Sequence, residues 1–200
     1  MLLREDDRAV IEQINGTVVK TFKPGYHLDC HPRIGVFRPD WLHHVNKFSD
    51  EYAHFPKVLE LSPERLVTEY VPGNTIRTQR TQSWRHDLDT QRRFFLRMQR
   101  LYHQFVANLL QYNHDNGVYM VHSDLNLSNM FIVNNEDSKF SNRVVCIDID
   151  SVRINHTYTE HNWLNIPNAM MQVTSDELNM HNHRETTQAL EDRIKQLKRP

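Results

Sequence analysis

A short polar stretch between two apolar runs holds the residues of this chain that are best suited to chemistry. In "VYMVHSDLNLSNMFIV" (118–133), Asp124 and Asn129 lie five residues apart, just before a predicted strand. Asp148 and Asp150 follow at the end of the next apolar run, "RVVCIDID". If the two runs pair as a hairpin, these groups meet at one end. Carboxylates and a carboxamide oxygen are ligands suited to Mg²⁺, which commonly neutralises phosphate oxygens, so the pattern indicates a divalent-metal phosphate site.

Two further roles complete such a site. An Asp close to the metal can orient a hydroxyl nucleophile and accept its proton, while positioning and charge stabilise the transferred phosphoryl group. A cation for the nucleotide phosphates is also needed, and Lys20 in "TVVKTF" is a candidate because a strand holds the base of its stem.

Structural explanations compete with this functional one. Asp124 taken alone is also typical of a turn, and Asn129 of a cap. Together with Asp148, however, a structural account must place three polar residues between buried strands, where unpaired charge is costly. The functional interpretation is therefore favoured, and Asp150 is either a second metal ligand or a turn residue.

The elements that must position these groups begin with a β-rich part. The segment "RAVIEQINGTVVKTFK" (8–23) contains two β-rich runs joined by Asn15-Gly16, a strong hairpin signal. A loop (23–39) precedes "PDWLHHVNKFSDEYAHF" (39–55), whose apolar residues recur at helical spacing after Pro39. Two strands around a Ser-Pro turn are predicted in "KVLELSPERLVTEYV" (57–71), and "PGNT" closes this part.

The remainder is predicted to be mostly helical. After a polar stretch (77–90), apolar residues follow a helical period from Gln91 to Asn113, the longest predicted helix. "MFIV" and "RVVCID" predict a second hairpin, and "TSDE" has capping-box form before a helix at about 175–198. This order predicts one α+β domain, 1–200, with a β-rich lobe at about 1–73 and a reduced helical lobe at about 74–200.

Composition narrows the class of protein. Hydrophobic residues are 38% and Lys plus Arg total 24 against 25 for Asp plus Glu, so the chain is globular and has no overall field that attracts nucleic acid or anionic membranes. It has no apolar run of signal-peptide or membrane-spanning character, so a cytoplasmic protein is expected. Cys30 and Cys146 have no CxxC partner, and the thirteen histidines form no HExxH, so a cysteine or histidine zinc site is not indicated.

On its motifs the chain resembles the protein-kinase-like superfamily over roughly residues 8–155. This superfamily includes aminoglycoside and choline phosphotransferases and RIO-type kinases. "VHSDLNLSN" resembles the catalytic loop, which implies Asp124 as catalytic base and Asn129 as a Mg²⁺ ligand. "CIDID" resembles the segment with the metal-binding Asp, here Asp148, and Asp150 stands in the place of the usual glycine.

The resemblance also assigns nucleotide-binding residues. "TVVKTF" resembles the strand with the nucleotide-binding lysine, Lys20, and "LVTEYVPG" resembles the hinge, where the backbone of Glu69 to Val71 would meet adenine. Glu51 is the candidate for the helix acid that pairs with Lys20, with Asp50 as a competitor and a solvated helix end as the alternative. The resemblance further implies two lobes, ATP and Mg²⁺, and a bracing role for the histidine of the loop, His122.

The chain departs from the family near its N-terminus. It has no GxGxxG and only five glycines, and the region before Arg8 is expected to be too short for a full first strand and phosphate-covering loop. The cover would come from "REDDR", from the loop between Gly25 and Gly35, or from a protein partner. Asn126 replaces the lysine of eukaryotic Ser/Thr kinases, and "HSDLNLSN" with "IDIDSVR" is closer to Kdo kinases of lipopolysaccharide synthesis and to the small kinase of the KEOPS complex.

Three hypotheses of function follow. The first is an ATP- and Mg²⁺-dependent phosphotransferase that acts on a hydroxyl of a protein or small molecule. The second, motivated by the missing glycine loop, is a pseudokinase or nucleotide-binding scaffold. The third is an ATPase-like accessory subunit of a nucleic-acid-processing assembly, motivated by the KEOPS-like loop and the basic C-terminal "RIKQLKRP". The acceptor is not encoded in any motif, because substrate choice lies in loops and in the helical part.

Overall fold

An antiparallel five-stranded sheet forms the first part of the chain in the computed structural model, which describes residues 1–26, 40–83, 87–122 and 124–155. The strand order is β1-β2-β3-β5-β4. The strands are β1 (Leu2–Glu5), β2 (Ala9–Ile14), β3 (Thr17–Phe22), β4 (Val58–Ser62) and β5 (Arg65–Glu69).

The β2–β3 hairpin is confirmed at the predicted turn. Asn15 and Gly16 both have positive φ, 49° and 77°, which matches the right-handed twist of the flanking strands. Lys20 lies in the centre of the sheet, opposite Ile11 on β2 and Leu66 on β5. Both neighbouring strands therefore hold its backbone.

Helix α1 (Trp41–Tyr52) follows the predicted helical period. Its buried residues, Trp41, Val45, Phe48 and Ser49, form one stripe against the core. The helix ends at Ala53, which adopts the left-handed conformation with φ 51° and donates its N–H to the Ser49 carbonyl.

Two further helices and a short strand follow the first sheet. β6 (Asn74–Thr75) leads directly into α2 (Ile76–Ser83), so part of the stretch predicted as merely polar is helical. The long helix α3 (Leu88–Asn116) begins at an N-cap, Asp87, whose carboxylate accepts from the Thr90 N–H, and it ends at Gly117 with φ 62°.

Four short strands after α3 form two small sheets. They are β7 (Tyr119–His122), β8 (Met130–Ile132), β9 (Val144–Cys146) and β10 (Val152–Asn155). β8 pairs antiparallel with β9, as predicted, and also with β6, whereas β7 pairs with β10. "PGNT" therefore joins the first sheet to this region instead of only closing the first part. This pairing brings residues 124–129 beside residues 147–151.

One hydrophobic cluster connects the helices to the small sheets. Its largest fully buried side chains come from α1, α3 and the strands around them, and they include Phe48, Phe55, Tyr102, Phe105 and Tyr112. The Trp41 indole N–H also donates to the Val152 carbonyl at 2.9 Å, which ties α1 to β10. The core therefore runs continuously from α1 into the region that holds the polar loop.

The α+β class is confirmed. The region before Arg8 holds a short first strand, β1, whose four residues are all exposed. This is less than a full first strand with a phosphate-covering loop, so the expectation about this region is not overturned. The alternation of charged and apolar residues did not indicate β1, because a short exposed edge strand is set by its partner, β2. The division into lobes near residue 73 stays a prediction, and the helix at about 175–198 lies outside the described residues. Within those residues, none of the helices has the length and apolar character to cross a bilayer.

Candidate active site

A cleft of about 1360 Å³ lies between the five-stranded sheet and the loops that follow β7 and β9. Seven of the eight residues predicted from the sequence line it: Lys20, Glu69, Val71, Asp124, Asn129, Asp148 and Asp150. Segments that are far apart in the chain therefore converge on one cavity, whose size is that of a small-molecule site or larger.

Two asparagines clamp the carboxylate of Asp124. The Asn129 side-chain amide donates to Asp124 Oδ2 at 3.0 Å and to the Asp124 carbonyl at 3.0 Å, and the Asn126 amide donates to Oδ1 at 3.1 Å. Asn126 in turn accepts the Ser128 N–H at 2.9 Å. The turn is closed by side-chain hydrogen bonds, which explains how the loop forms without glycine.

His122, at the end of β7, braces the loop that holds Asp124. Its side chain is buried, and Nδ1 accepts the Asp124 N–H at 3.3 Å. Burial lowers the pKa of His122, against the opposing charges of Asp148 and Asp124, so the imidazole is neutral at pH 7. The bracing role predicted for this residue is confirmed by that contact.

Lys20 reaches across the cleft to both aspartates of "CIDID". Its ammonium lies 2.7 Å from Asp150 Oδ2 and 3.2 Å from Asp148 Oδ1. Burial alone would lower the pKa of Lys20, but the charges of Asp150 and Asp148 outweigh it and raise the pKa. The lysine is therefore charged and held at the centre of the site.

The two aspartates differ in environment. Burial raises the pKa of Asp150 to about 6, and the nearby Asp148 charge adds to that effect. Burial acts in the same direction on Asp148, but the Lys20 ammonium outweighs it and holds the pKa of Asp148 well below its usual value. The side chain of Asp148 is 30% exposed to the cleft and that of Asp150 is 4% exposed. Asp148 is thus the ionised carboxylate that a ligand in the cleft can reach.

A short 3-10 turn, Ile149–Ser151, fixes Asp148 at the end of β9. Ser151 donates its N–H to the Asp148 carbonyl at 2.9 Å and its hydroxyl to Asp148 Oδ2 at 3.1 Å. The Ile147 N–H donates to the Asn129 carbonyl at 3.0 Å. The loop with Asp124 and the turn with Asp148 are therefore joined by a main-chain bond.

The residues present fit a hard divalent cation. Both Nδ2 contacts of Asn129 go to Asp124, so its side-chain oxygen is the atom left for a cation, and Asn129 and Asp148 line the same cleft. Among the described residues, no group of three or more His, Cys, Asp or Glu side chains forms a complete metal site. Any cation here would share its shell with water and with oxygens of the bound substrate, as Mg²⁺ at phosphate sites does.

Glu51 is not part of the site, and its predicted pairing with Lys20 is wrong. Glu51 is exposed in the last turn of α1 and lies 3.9 Å from the ammonium of Lys47, one helical turn earlier. The competitor Asp50 also faces outward and pairs with Lys57 at 2.9 Å. The physical reason is the stripe of α1 that packs on the core, because neither acid belongs to it.

The segment predicted as the hinge lines the cleft. The Glu69 N–H donates to the Lys57 carbonyl and the Tyr70 N–H to the Gly16 carbonyl, so both are used by the sheet. The Glu69 carboxylate points elsewhere, to the Lys57 N–H at 2.8 Å and the Lys139 ammonium at 2.6 Å. A ligand contact from this segment therefore falls on its carbonyl oxygens or on the buried Val71.

The turn between β1 and β2 stands at the mouth of the cleft. Arg4, Asp6, Asp7 and Arg8 of "REDDR" all line it, together with Gly25. Asp6 Oδ1 accepts the N–H groups of Arg8 and Ala9, each at 2.9 Å, and these bonds keep the pKa of Asp6 low. Of the three predicted covers, the "REDDR" segment thus lines the cleft, and most of the loop at 25–35 lies outside the described residues. The amides of Arg8 and Ala9 are already capped by the Asp6 carboxylate.

Comparison with known proteins finds distant structural likeness without a family. No protein-family model matches the chain, and no curated protein matches it. Among solved structures, a mutant of the PknI kinase domain of Mycobacterium tuberculosis is similar at 13% identity, with a TM-score of 0.46. The likeness covers 74% of this chain and 57% of that domain, so the chain spans less than two thirds of it.

Sequence reasoning missed two contributors to the cleft and included a third, Asp6, only as part of "REDDR". Asp6 and Ser151 act through hydrogen bonds to the turn and to Asp148, and Arg77 at the start of α2 donates its N–H to the Leu127 carbonyl of the Asp124 loop at 3.0 Å. An Asp at the start of a short polar turn is a local signal for Asp6. No local signal indicates the other two, since their partners are known only once the strands have paired.

Proposed function

We propose that the protein is an ATP- and Mg²⁺-dependent phosphotransferase that moves the γ-phosphoryl group of ATP to a hydroxyl of a protein or small molecule. The observation that supports it best is the convergence of Lys20, Asp124, Asn129 and Asp148 on one cleft. A buried cation, an ionised carboxylate beside an amide oxygen, and a clamped carboxylate are the parts that this reaction needs.

Each residue has a distinct role in this proposal. Asp124 accepts the proton of the acceptor hydroxyl, whose oxygen bonds to the γ-phosphorus while the bond from that phosphorus to ADP breaks. Lys20 contacts the nucleotide phosphates, and Asp148 and Asn129 hold Mg²⁺. When bound, Mg²⁺ neutralises phosphate oxygens and so favours transfer.

The adenine would lie deeper in the cleft, against the predicted hinge. Ala9, Val18, Phe131 and Ile147 supply apolar walls there. The carbonyls of Glu69 and Tyr70 and the backbone of Val71 supply the polar edge. This arrangement matches the usual form of a cofactor pocket, which is apolar with a few placed polar groups.

A direct test combines binding and transfer. Purified protein is titrated with ATP in the presence and absence of Mg²⁺ by calorimetry, and turnover is followed with γ-labelled ATP against a mixture of protein and small-molecule alcohols. Asp148→Asn should abolish the metal-dependent part of binding. Asp124→Asn should keep binding and reduce transfer by about 10²–10⁴-fold, the usual contribution of a general base.

The matched control is Asp137→Asn, an exposed aspartate of the β8–β9 loop that does not line the cleft. It should behave as the parent protein in both assays. Absence of any Mg²⁺-dependent ATP binding by the parent protein would refute the proposed function.

One observation favours a second candidate, a nucleotide-binding scaffold without transfer activity. Two amides of the β1–β2 turn, those of Arg8 and Ala9, are held by the Asp6 carboxylate, in contrast to a glycine-rich loop whose amides bind phosphate. Tight MgATP binding with no turnover, and no effect of Asp124→Asn, would support the scaffold over the phosphotransferase.

A further inference from the structure

The shorter of the two ion pairs of Lys20 joins it to Asp150, the residue that stands in the place of a glycine in the "CIDID" segment. The Lys20 ammonium is 2.7 Å from Asp150 Oδ2, and the two side chains are only 19% and 4% exposed. Its contact with Asp148 is longer, 3.2 Å, and involves a side chain that is 30% exposed. Asp150 is therefore the closer and less exposed partner of Lys20.

Burial of this pair gives it a positioning role. A lysine has a long flexible stem, and an ammonium taken out of water needs a close counter-charge to be stable there. Asp150 is held in the 3-10 turn, Ile149–Ser151, at the end of β9, so its carboxylate is a fixed point. The contact also spans 130 residues of sequence, and it joins β3 to the turn that carries Asp148.

Asp150 is poorly placed for the alternative role, that of a Mg²⁺ ligand. Mg²⁺ keeps several water molecules when it binds protein carboxylates, so its ligands must face a space that holds those waters. The side chain of Asp148, at 30% exposure, meets this condition, whereas that of Asp150, at 4%, does not.

Helix α1 offers no competing anchor within its described residues. Its two acids, Asp50 and Glu51, are 55% and 41% exposed and pair with Lys57 and Lys47 on the surface. The buried stripe of the helix carries aromatic and aliphatic groups and a serine.

We propose that Asp150 is the positioning residue of Lys20, taking the place that the acid of helix α1 was predicted to fill. Lys20 is then aligned by the same turn that presents Asp148, and the distance between the ammonium and that carboxylate does not depend on where α1 lies. The consequence for nucleotide binding rests on the proposed function, whereas the pairing itself does not.

The pairing is tested on the protein without nucleotide or metal. Lysine acylation by a water-soluble acetyl ester is followed by peptide mass spectrometry, with Lys139 as internal reference. In Asp150→Asn, Lys20 should swing to the exposed Asp148 carboxylate and react about tenfold faster, a change equivalent to about 1.4 kcal/mol of lost protection. In Glu51→Gln and Asp50→Asn its rate should stay within about twofold of the parent value, since neither acid contacts it.

Two results would overturn the proposal: an unchanged Lys20 rate in folded Asp150→Asn, or a raised rate in the Asp50→Asn/Glu51→Gln double variant. The double variant alters only surface pairs, so it tests the α1 alternative even if Asp150→Asn does not fold, and an unchanged rate in it excludes α1 as the anchor. If the parent protein bound no MgATP, the proposed function would fail while the acylation result would still decide the pairing. If it binds, Asp150→Asn should weaken MgATP about tenfold through the displaced lysine and leave its Mg²⁺ requirement intact.

Discussion

At the scale of single residues, the loop that holds Asp124 is organised by amide side chains. Asn126 and Asn129 each donate to one oxygen of the Asp124 carboxylate, which orients it and leaves lone pairs for an acceptor hydroxyl. In the proposed reaction, a lysine at position 126 would place a positive charge beside the transferred phosphoryl group. The asparagine instead orients the Asp124 carboxylate. Asn126 therefore lines the cleft and helps to orient Asp124.

Asn126→Ala tests this role. Loss of one hydrogen bond to a charged group costs about 1.5 kcal/mol, so kcat for phosphotransfer should fall about tenfold while KM for ATP changes less than about twofold. The measurement is steady-state kinetics with labelled ATP. Asn135→Ala is a matched control, because Asn135 accepts the Asp137 N–H at 3.1 Å in an exposed loop away from the cleft. Equal losses in both variants would show that the effect is not specific to Asp124.

At the scale of elements, the β1–β2 turn lines the cleft and would face the phosphates of the nucleotide in the proposed function. Asp6 satisfies the amides of Arg8 and Ala9 and also pairs with Arg4 at 3.0 Å. The turn is therefore stable without a ligand, but its carboxylates would repel a negatively charged phosphate. Arg8 is the cation of the turn that lines the same mouth.

Asp6→Ala should tighten MgATP binding, by about tenfold, because it removes a negative charge and releases two amide donors. Asp7→Ala is the control, since it removes an exposed charge without releasing those donors, and it should tighten binding only about threefold. Calorimetric titration at one ionic strength measures both. Weaker binding of Asp6→Ala would mean that the capped turn is the binding form.

At the scale of the whole molecule, a buried histidine ties three parts of the fold together. His54 follows α1, and its Nδ1–H donates to the Val144 carbonyl of β9 at 2.7 Å. Its Nε2 accepts from the Asn108 amide of α3 at 2.9 Å. Burial lowers the pKa of His54 from 6.5 to about 4, against the opposing bond to Val144, so the folded protein holds the neutral ring.

The stability of the protein should therefore fall on acidification through the range in which only the unfolded chain protonates this histidine. Above about pH 6.5 the contribution of His54 is fully present, and below it the unfolded state binds the extra proton, so the free energy of unfolding decreases as the pH falls towards 4. Between pH 6.5 and 5 the loss should be about 2 kcal/mol. Urea denaturation at several pH values measures it.

The variant His54→Gln should be less stable at pH 7 and should show a shallower decline over the same pH range. His114→Gln, which alters an exposed histidine at the end of α3, should keep the slope of the parent protein. An unchanged slope in His54→Gln would contradict the assignment.

The sequence predicts local features of this fold well and tertiary partners poorly. The β2–β3 turn at Asn15-Gly16, α1, α3 and the β8–β9 hairpin follow from turn chemistry and hydrophobic period, and the structure confirms them. β1 and α2 were missed because an exposed edge strand and a polar helix carry weak periodicity. The predicted pairing of Glu51 with Lys20 was wrong, because the helical period of α1 shows which face is buried but not which residues of other elements lie near its acids.

What the sequence by itself determined is the set of chemical groups and the elements on which they lie. Asp124, Asn129, Asp148 and Lys20 were identifiable because their types and spacing within strands and loops are local properties. Only the tertiary structure decided which acid pairs with Lys20, because the answer depends on contacts across 128 and 130 residues and on the burial that selects between the two carboxylates. Burial is a property of the packed core, and no short segment of the chain encodes it.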